Sequence, residues 1–242
     1  QLNFPHGLFI DDNQTVVIAD HWNNRIMQWK NGNTTNGQVV AGGNGRGNGL
    51  NQLYWPIDVL IDKETDSLII CDESNHRVVR WSRRSDTTQG EILINDINCY
   101  GLAMDEQRYL YISDDEKHEV RRYQSVEKIG TLVAGGNGQG GGLNQLNVPT
   151  YLFVDRQQNV YVSDRNNHRV MKWNKGAKED EGNNRVMRWT QGAKQGTVIV
   201  GGNGKGAGAN QFNIPYGLSF DRHGNLYVAD MSNNRVQRFS IE

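Results

Sequence analysis

The sequence predicts an all-β fold built from about five copies of one small four-stranded antiparallel sheet, and three observations predict it. One phrase returns five times: an apolar run ending in Asp, a short polar turn, then a charged residue opening a second apolar run. The phrase reads Val17-Val-Ile-Ala-Asp20 before Arg25-Ile-Met-Gln-Trp29, and it recurs with its Asp at Asp72, Asp114, Asp164 and Asp230. The runs are short and alternate apolar with polar residues, the period of a half-exposed strand. No 3.6-residue period is sustained, and the 28 glycines among 242 residues argue against long helices. A unit of this size cannot bury its own apolar face. It must pack against copies of itself, so the repeat sets the architecture.

Each unit supplies its strands in order. The first follows Pro or its equivalent, as in Gly7-Leu-Phe-Ile-Asp11, Val59-Leu-Ile-Asp62, Gly101-Leu-Ala-Met-Asp105, Leu152-Phe-Val-Asp155 and Gly217-Leu-Ser-Phe-Asp221. It is the most apolar, as suits an innermost strand. A polar turn such as Asp12-Asn-Gln14 leads to the second, the run ending in Asp. The third begins at Arg in four units and carries charge outward through Arg80, Arg122, Lys172 and Arg238. A fourth is read at Val39–Ala41, Ile92–Ile94, Leu132–Ala134 and Val198–Val200. Four antiparallel strands at a period near 50, joined by Gly-rich loops, are the pattern of a β-propeller blade.

The motifs resemble NHL repeats. The residues that carry the likeness are Pro-x-Gly-Leu before the first strand, Leu226-Tyr-Val-Ala-Asp230 in the second, and Asn-His-Arg at Asn75–Arg77 and Asn167–Arg169, with Asn-Asn-Arg at Asn23–Arg25 and Asn233–Arg235. The resemblance covers nearly the whole chain and implies one propeller domain over residues 1–242, with six blades, usual in the family, as the alternative to five. It implies no single activity, because the family holds scaffolds, RNA binders, sensor domains and a few enzymes.

The breaks in the pattern carry their own expectations. The repeated Asp residues are spaced 52, 42, 50 and 66 apart. The long interval contains a duplication, in which Arg169–Lys178 returns as Arg185–Lys194. That copy reads as a surplus third strand or the remnant of a lost blade. The last blade ends after its third strand, so the chain is expected to be part of a longer one whose upstream segment supplies the missing outer strand. Cys71 and Cys99 are too few for a disulfide framework, and two separate thiols are the expected state, with a bridge left open. Asn13-Gln-Thr15 and Asn33-Thr-Thr35 fit the glycosylation sequon.

Shared residues point to scaffold chemistry. Asp20 with Arg25, Asp72 with Arg77, Asp164 with Arg169 and Asp230 with Arg235 are expected to form structural ion pairs, Arg's planar fork suiting a carboxylate. The third unit has Glu119 where the others have Arg, and it is expected to lack the pair and to be the least ordered. Trp29, Trp81, Trp173 and Trp189 are assigned to packing between blades. The loop Gly42-Gly-Asn-Gly-Arg-Gly-Asn-Gly49 and its copies at 135–142 and 201–208 lack both the Gly-Lys-Ser/Thr of a phosphate loop and a following helix, so they read as flexible connections.

Unlike residues point to function. The approaches to the first strands and the loops after the second strands share one face in this architecture, the channel mouth. There the blades present His6, Asp58, Tyr100, Tyr151 and Tyr216, and His21 with Trp22, Glu73, Asp115, Arg165 and Met231. This mixture suits recognition of a protein, peptide or glycan, which is the expected function, by a monomer. The alternative is a metal-dependent hydrolase or lyase, in which Asp58, Glu73 and Asp115 with His6 or His21 would offer the oxygen-rich ligands that suit calcium or magnesium. No His pair has zinc spacing, the zinc-histidine pattern of the family's amidating lyases finds no match, and no catalytic residue, cofactor or metal is assigned. A net charge of -1 from 26 basic and 27 acidic residues, with the arginines spread over the third strands, argues against nucleic acid. No apolar run reaches the roughly 18 residues of a membrane span.

Overall fold

The structure is a computed structural model that describes residues 1–30, 35–84, 87–124, 129–173, 175, 200–201 and 203–240. The second copy of the duplicated segment, with Trp189, lies outside the described residues, as does most of Val198–Val200. The chain divides into two compact units, 1–102 and 103–242, and the boundary falls within one strand. Among the described residues, all regular structure is β apart from four single-turn 3-10 segments.

The strands form five antiparallel sheets, each a simple up-and-down meander of the β-propeller type. The first blade runs β1 (Pro5–Ile10), β2 (Val16–Asp20), β3 (Arg25–Trp29) and β4 (Gln38–Gly42). The second runs β5 (Pro56–Asp62), β6 (Ser67–Asp72), β7 (Arg77–Ser82) and β8 (Glu91–Asn95). The third comprises β9 (Cys99–Met104), β10 (Leu110–Asp114), β11 (Glu119–Tyr123) and β12 (Thr131–Gly135). Two three-stranded sheets follow among the described residues: β13 (Pro149–Val154), β14 (Val160–Asp164) and β15 (Arg169–Trp173), then β16 (Pro215–Phe220), β17 (Asn225–Asp230) and β18 (Arg235–Ser240). Five blades, the last without an outer strand among the described residues, match the architecture read from the sequence.

In the first unit the packing joins the two blades through one apolar cluster. Val17, Ile26 and Leu53 pack with Leu68, Ile70 and Trp81, and all of them are buried. Leu53 comes from the Gly-rich loop, so that loop plugs the core as well as connecting strands. Leu146 and Phe212 do the same in the second unit.

The repeated motif resolves into three linked devices. First, the Arg that opens the third strand turns its guanidinium back onto the Asp that closes the second, Nε to Oδ2 at 2.7 Å for Arg25–Asp20 and Arg77–Asp72, 2.6 Å for Arg169–Asp164 and 2.8 Å for Arg235–Asp230. The remaining donors reach Gly-loop carbonyls: Arg169 bonds Gly141, Gly142 and Gln145, and Arg77 bonds Asn48, Gly49 and Gln52. The loops expected to be flexible are therefore tied down. Gln52, Gln145 and Gln211 also close them from within, each donating to the carbonyl of an Asn eight residues earlier. Positive φ at Gly42, Gly43 and Gly45 permits the path.

Second, the Asn of each Asn-His-Arg or Asn-Asn-Arg triplet donates its amide to the same Asp carboxylate. Third, the middle residue of the triplet adopts the left-handed conformation that ends the turn, with φ of 53° at Asn24, 50° at His76, 53° at His168 and 50° at Asn234. Its side chain accepts a bond from the next blade: Asn24 Oδ1 from Trp55 N–H at 3.1 Å, His168 Nδ1 from Ile214 N–H at 3.1 Å. The receiving N–H belongs to the residue before the inner-strand proline, itself at positive φ in Phe4, Trp55, Val148 and Ile214. An L residue is disfavoured there, β-branched ones most, so the bond holds a strained corner in place.

The third blade departs as its sequence requires. Asp114 receives Lys117 N–H at 2.8 Å, while Glu119 pairs with Arg121 at 2.6 Å, two residues along the same strand. His118 keeps the left-handed corner and accepts Val148 N–H at 3.2 Å. Substitute pairs let this sheet form all four strands. The expectation of separate thiols is corrected: Cys71 of β6 and Cys99 of β9, both fully buried with Cα atoms 5.8 Å apart, form a disulfide. The second strand of one blade and the first strand of the next bring the two positions together, a closeness that a separation of 28 residues hides.

Candidate functional site

The approach to β1, the 3-10 turn after β2 and the approach to β5 converge in the first unit on five aromatic or imidazole rings. The positive-φ corner before each proline projects Phe4 and Trp55, and the turn after Asp20 carries His21 and Trp22. The Trp22 backbone N–H donates to Asn3 O at 3.2 Å, fixing that turn beside the β1 approach. Phe4 stacks on Trp22 with centroids 5.0 Å apart and planes 22° from parallel; His21 stacks on Trp55 at 5.6 Å and 23°. His6 bridges them, 5.1 Å from Phe4 and 4.6 Å from His21.

The cluster is more buried at its imidazoles, His21 buried and His6 half-buried, and open at its carbocycles. His21 is 8 % exposed, whereas Phe4 and Trp22 are each 55 % and Trp55 is 39 % exposed. Burial, helped by the neighbouring His21, lowers the His6 pKa to about 4, and burial lowers His21 as well. Both rings are therefore neutral near pH 7. The result is an uncharged aromatic surface around an imidazole pair, His6 half-buried and His21 buried, with His21 Nδ1 held 3.3 Å from Pro56 O.

Asp58, read from sequence as a mouth ligand, is placed inside the packing. It is buried beneath β1, where Gly7 lacks the Cβ that would overlap Asp58 Oδ1. Its Oδ2 accepts Leu102 N–H at 2.8 Å and its Oδ1 accepts Val59 N–H at 2.9 Å. Burial outweighs those two bonds and pushes its pKa up to about 7. The carboxyl thus ties inner strands together. Glu73 is half-buried, with Oε2 accepting Ser74 Oγ–H at 2.6 Å, and Tyr100 is buried.

In the second unit, Tyr151 and Tyr216 meet ring to ring at 5.6 Å, and burial raises Tyr216 to about 12. Between them the buried Thr150 hydroxyl donates to Tyr216 O at 3.1 Å. Met231 is exposed on the turn after β17, and Arg165 and Asp115 occupy the corresponding turns half-buried. Among the described residues, no group of three His, Cys, Asp or Glu side chains could hold a metal ion.

Phe4 and Trp55 are absent from the site residues read from the sequence, which at each inner-strand proline lie after it rather than before it. The legible signal was aromatic residues at Phe4-Pro5 and Trp55-Pro56 where other blades have Val148 and Ile214.

Comparison with known proteins agrees with the repeat. The NHL repeat model matches residues 2–29 and 212–239. A mouse NHL repeat-containing protein 3 is 28 % identical over 128 residues, which span 50 % of this chain and 31 % of that protein. Among solved structures, a chain of a nidogen/laminin complex superposes over 97 % of this chain and 74 % of its own, with a TM-score of 0.69 at 17 % identity. A Xanthomonas campestris gluconolactonase covers 99 % and 76 %, at 0.65 and 15 %. Staphylococcus aureus virginiamycin B lyase covers 98 % and 70 %, at 0.59 and 10 %. Binding proteins and enzymes share this fold, so likeness at such identity speaks for fold alone. The repeated Asp–Asn–Arg device, the five blades and the two matched repeats make the chain similar to the NHL-repeat β-propellers, with NHL repeats at residues 2–29 and 212–239.

Proposed function

We propose that the chain is a non-enzymatic recognition module that binds a protein, peptide or glycan through the loop face of its first two blades. The observation that carries this reading is the exposed ring surface of Phe4, Trp22 and Trp55. Each aromatic ring left in water forgoes burial worth about 1.5–3 kcal/mol, and contiguous exposed aromatic surface marks interaction sites. The rings are held by stacking and by strained backbone corners, so little side-chain freedom is lost on binding. The imidazoles beneath are neutral, which favours uncharged or CH-rich partners over strongly ionic ones.

The rival hydrolase or lyase reading would need ligands from Asp58, Glu73 and the histidines. Asp58 is committed to backbone N–H groups and lies beneath β1, which weighs against it. Screening the protein against glycan and peptide arrays, then measuring the hits by calorimetry for wild type, Trp22→Ala and Trp55→Ala, tests the proposal. Loss of tenfold or more in affinity in both variants, with melting temperature retained, is the expected result. Hits that bind both variants as tightly as wild type, or stoichiometric divalent metal in chelator-free protein that supports turnover, would overturn it.

A further inference from the structure

We infer that Asn13 is an N-glycosylation site and that the folded chain carries a glycan at the far end of β1 from the aromatic face. Asn13-Gln-Thr15 has the acceptor pattern, with Gln rather than Pro in the middle. The triplet sits at the tip of the β1–β2 hairpin. Asp11 Oδ1 accepts the backbone N–H groups of Asn13 at 2.9 Å and Thr15 at 2.8 Å, and Gln14 takes a positive φ of 59°. The backbone of this turn is thus held by Asp11 and by main-chain bonds, while Asp12 pairs with Lys63. Asn13 itself is exposed, and its side-chain amide engages no described residue. The equivalent tips of the other blades read Glu-Thr-Asp66, Glu-Gln-Arg108, Arg-Gln-Gln158 and Arg-His-Gly224, so the acceptor asparagine is peculiar to this blade.

The second observation is independent of the motif. Cys71 and Cys99 are joined although both are fully buried, and disulfides of this kind form and persist in oxidising compartments. That is the environment in which asparagine acceptors meet their donor. In the transfer, the Asn13 amide nitrogen bonds to the anomeric carbon of a lipid-diphosphate-linked oligosaccharide. The carbon–oxygen bond to the diphosphate breaks, the lipid diphosphate leaves, and the amide gives up one proton. No oxidant is needed for that step; the disulfide itself requires a two-electron thiol–disulfide oxidant, which the same compartment supplies.

Position makes the modification compatible with recognition. β1 begins at Pro5, beside Phe4, and ends at Ile10, so six residues of strand, about 20 Å, separate the ring surface from the tip. A glycan there leaves Phe4, Trp22 and Trp55 uncovered and shields the hairpin end instead.

The test is secretion of the chain from eukaryotic cells, with peptide mapping before and after amidase removal of N-glycans. Wild type is expected to lose mobility heterogeneity on treatment and to show Asn13 converted to Asp. Asn13→Gln, at an exposed tip, should remove that glycoform while leaving the melting temperature unchanged, and Thr15→Ser, which preserves the acceptor pattern, should keep it. The Asn33 peptide is scored separately, so its occupancy does not enter. An unmodified Asn13 peptide in secreted, disulfide-bonded protein would overturn the proposal, as would free Cys71 and Cys99 thiols titrated in that material.

Discussion

Replacing Arg169 by Ala should destabilise the protein more than the same change at Arg25, although both residues play the same part in the repeat. The Arg169 side chain is 1 % exposed and that of Asp164 0 %, whereas the Arg25 side chain is 24 % exposed. Arg169 donates four bonds, one to the carboxylate and three to the carbonyls of Gly141, Gly142 and Gln145. Its removal leaves Asp164 with Asn167 Nδ2 and Asn147 N–H and no countercharge. Burial already pushes the Asp164 carboxyl above its ordinary value despite the arginine, so without that countercharge the ionised form is disfavoured further. Breaking a buried pair in this way costs about 3–5 kcal/mol. That is a large fraction of the roughly 5–15 kcal/mol typical of a folded domain. At Arg25, water replaces part of what is lost, and the cost falls to about 1–2 kcal/mol. Arg77, with 5 % side-chain exposure, belongs with Arg169, and Arg235, with 29 %, belongs with Arg25.

Urea unfolding followed by tryptophan fluorescence measures the four variants, with melting temperatures for any too unstable to extrapolate. Arg169→Lys should recover little, because an ammonium cannot span the carboxylate and three carbonyls at once. Adding Asp164→Asn to Arg169→Ala should recover part of the loss by removing the stranded charge. Equal costs at all four arginines, or full rescue by lysine, would refute the argument that the guanidinium works as a buried tie between strand and loop.

Three further outcomes follow from the same geometry. His168→Asn should be nearly neutral, since Asn24 fills the equivalent left-handed corner and accepts the equivalent N–H, whereas His168→Ala should cost about 1–2 kcal/mol in chemical denaturation. Mutating Cys71 and Cys99 to Ala together should lower stability by about 3–4 kcal/mol, the cost of reopening a loop of this length, and reducing agent should reproduce the drop in melting temperature. Stability should depend on pH through two opposed groups: Asp58, raised from 3.8 to about 7, contributes stability that is full below pH 4 and lost as pH rises toward 7. His6, lowered from 6.5 to about 4, contributes stability that is full above pH 6.5 and lost as pH falls toward 4. Asp58→Asn should therefore leave a profile that only rises between pH 4 and 6.5, and a profile unchanged by that substitution would count against the buried carboxyl.

Much of the scaffold was legible because it repeats. Five copies of one phrase show that Asp20 and Arg25 must serve the same purpose as Asp164 and Arg169, and the short turn between them leaves few partners within reach. The irregular third blade was legible too, as Glu119 in an arginine's place, though not its consequence. Lys117, standing where the other blades place the Asn that bonds the Asp, and Arg121, further along the strand, supply the missing cations. The Gly-rich loops were read as loose because glycine frees the backbone, and only the folded chain shows three arginine donors and a glutamine amide reaching into them.

The candidate site was less legible, for a physical reason. The sequence by itself determined which residues differ between blades, and hence His6, His21, Trp22 and Asp58. It could not say which of these meet water, because burial is set by neighbouring strands that are distant in the chain. Gly7 and Asp58 stand 51 positions apart, yet the missing Cβ of one makes room for the carboxyl of the other. Cys71 and Cys99 likewise became neighbours only through strand packing. Local composition and spacing fix strands, turns and the partners a short turn can reach. Contacts between strands distant in the chain depend on how sheets pack, and that turned a presumed ligand into a buried tie, two presumed thiols into a bridge, and two residues before prolines into exposed rings stacked beside Trp22 and His21.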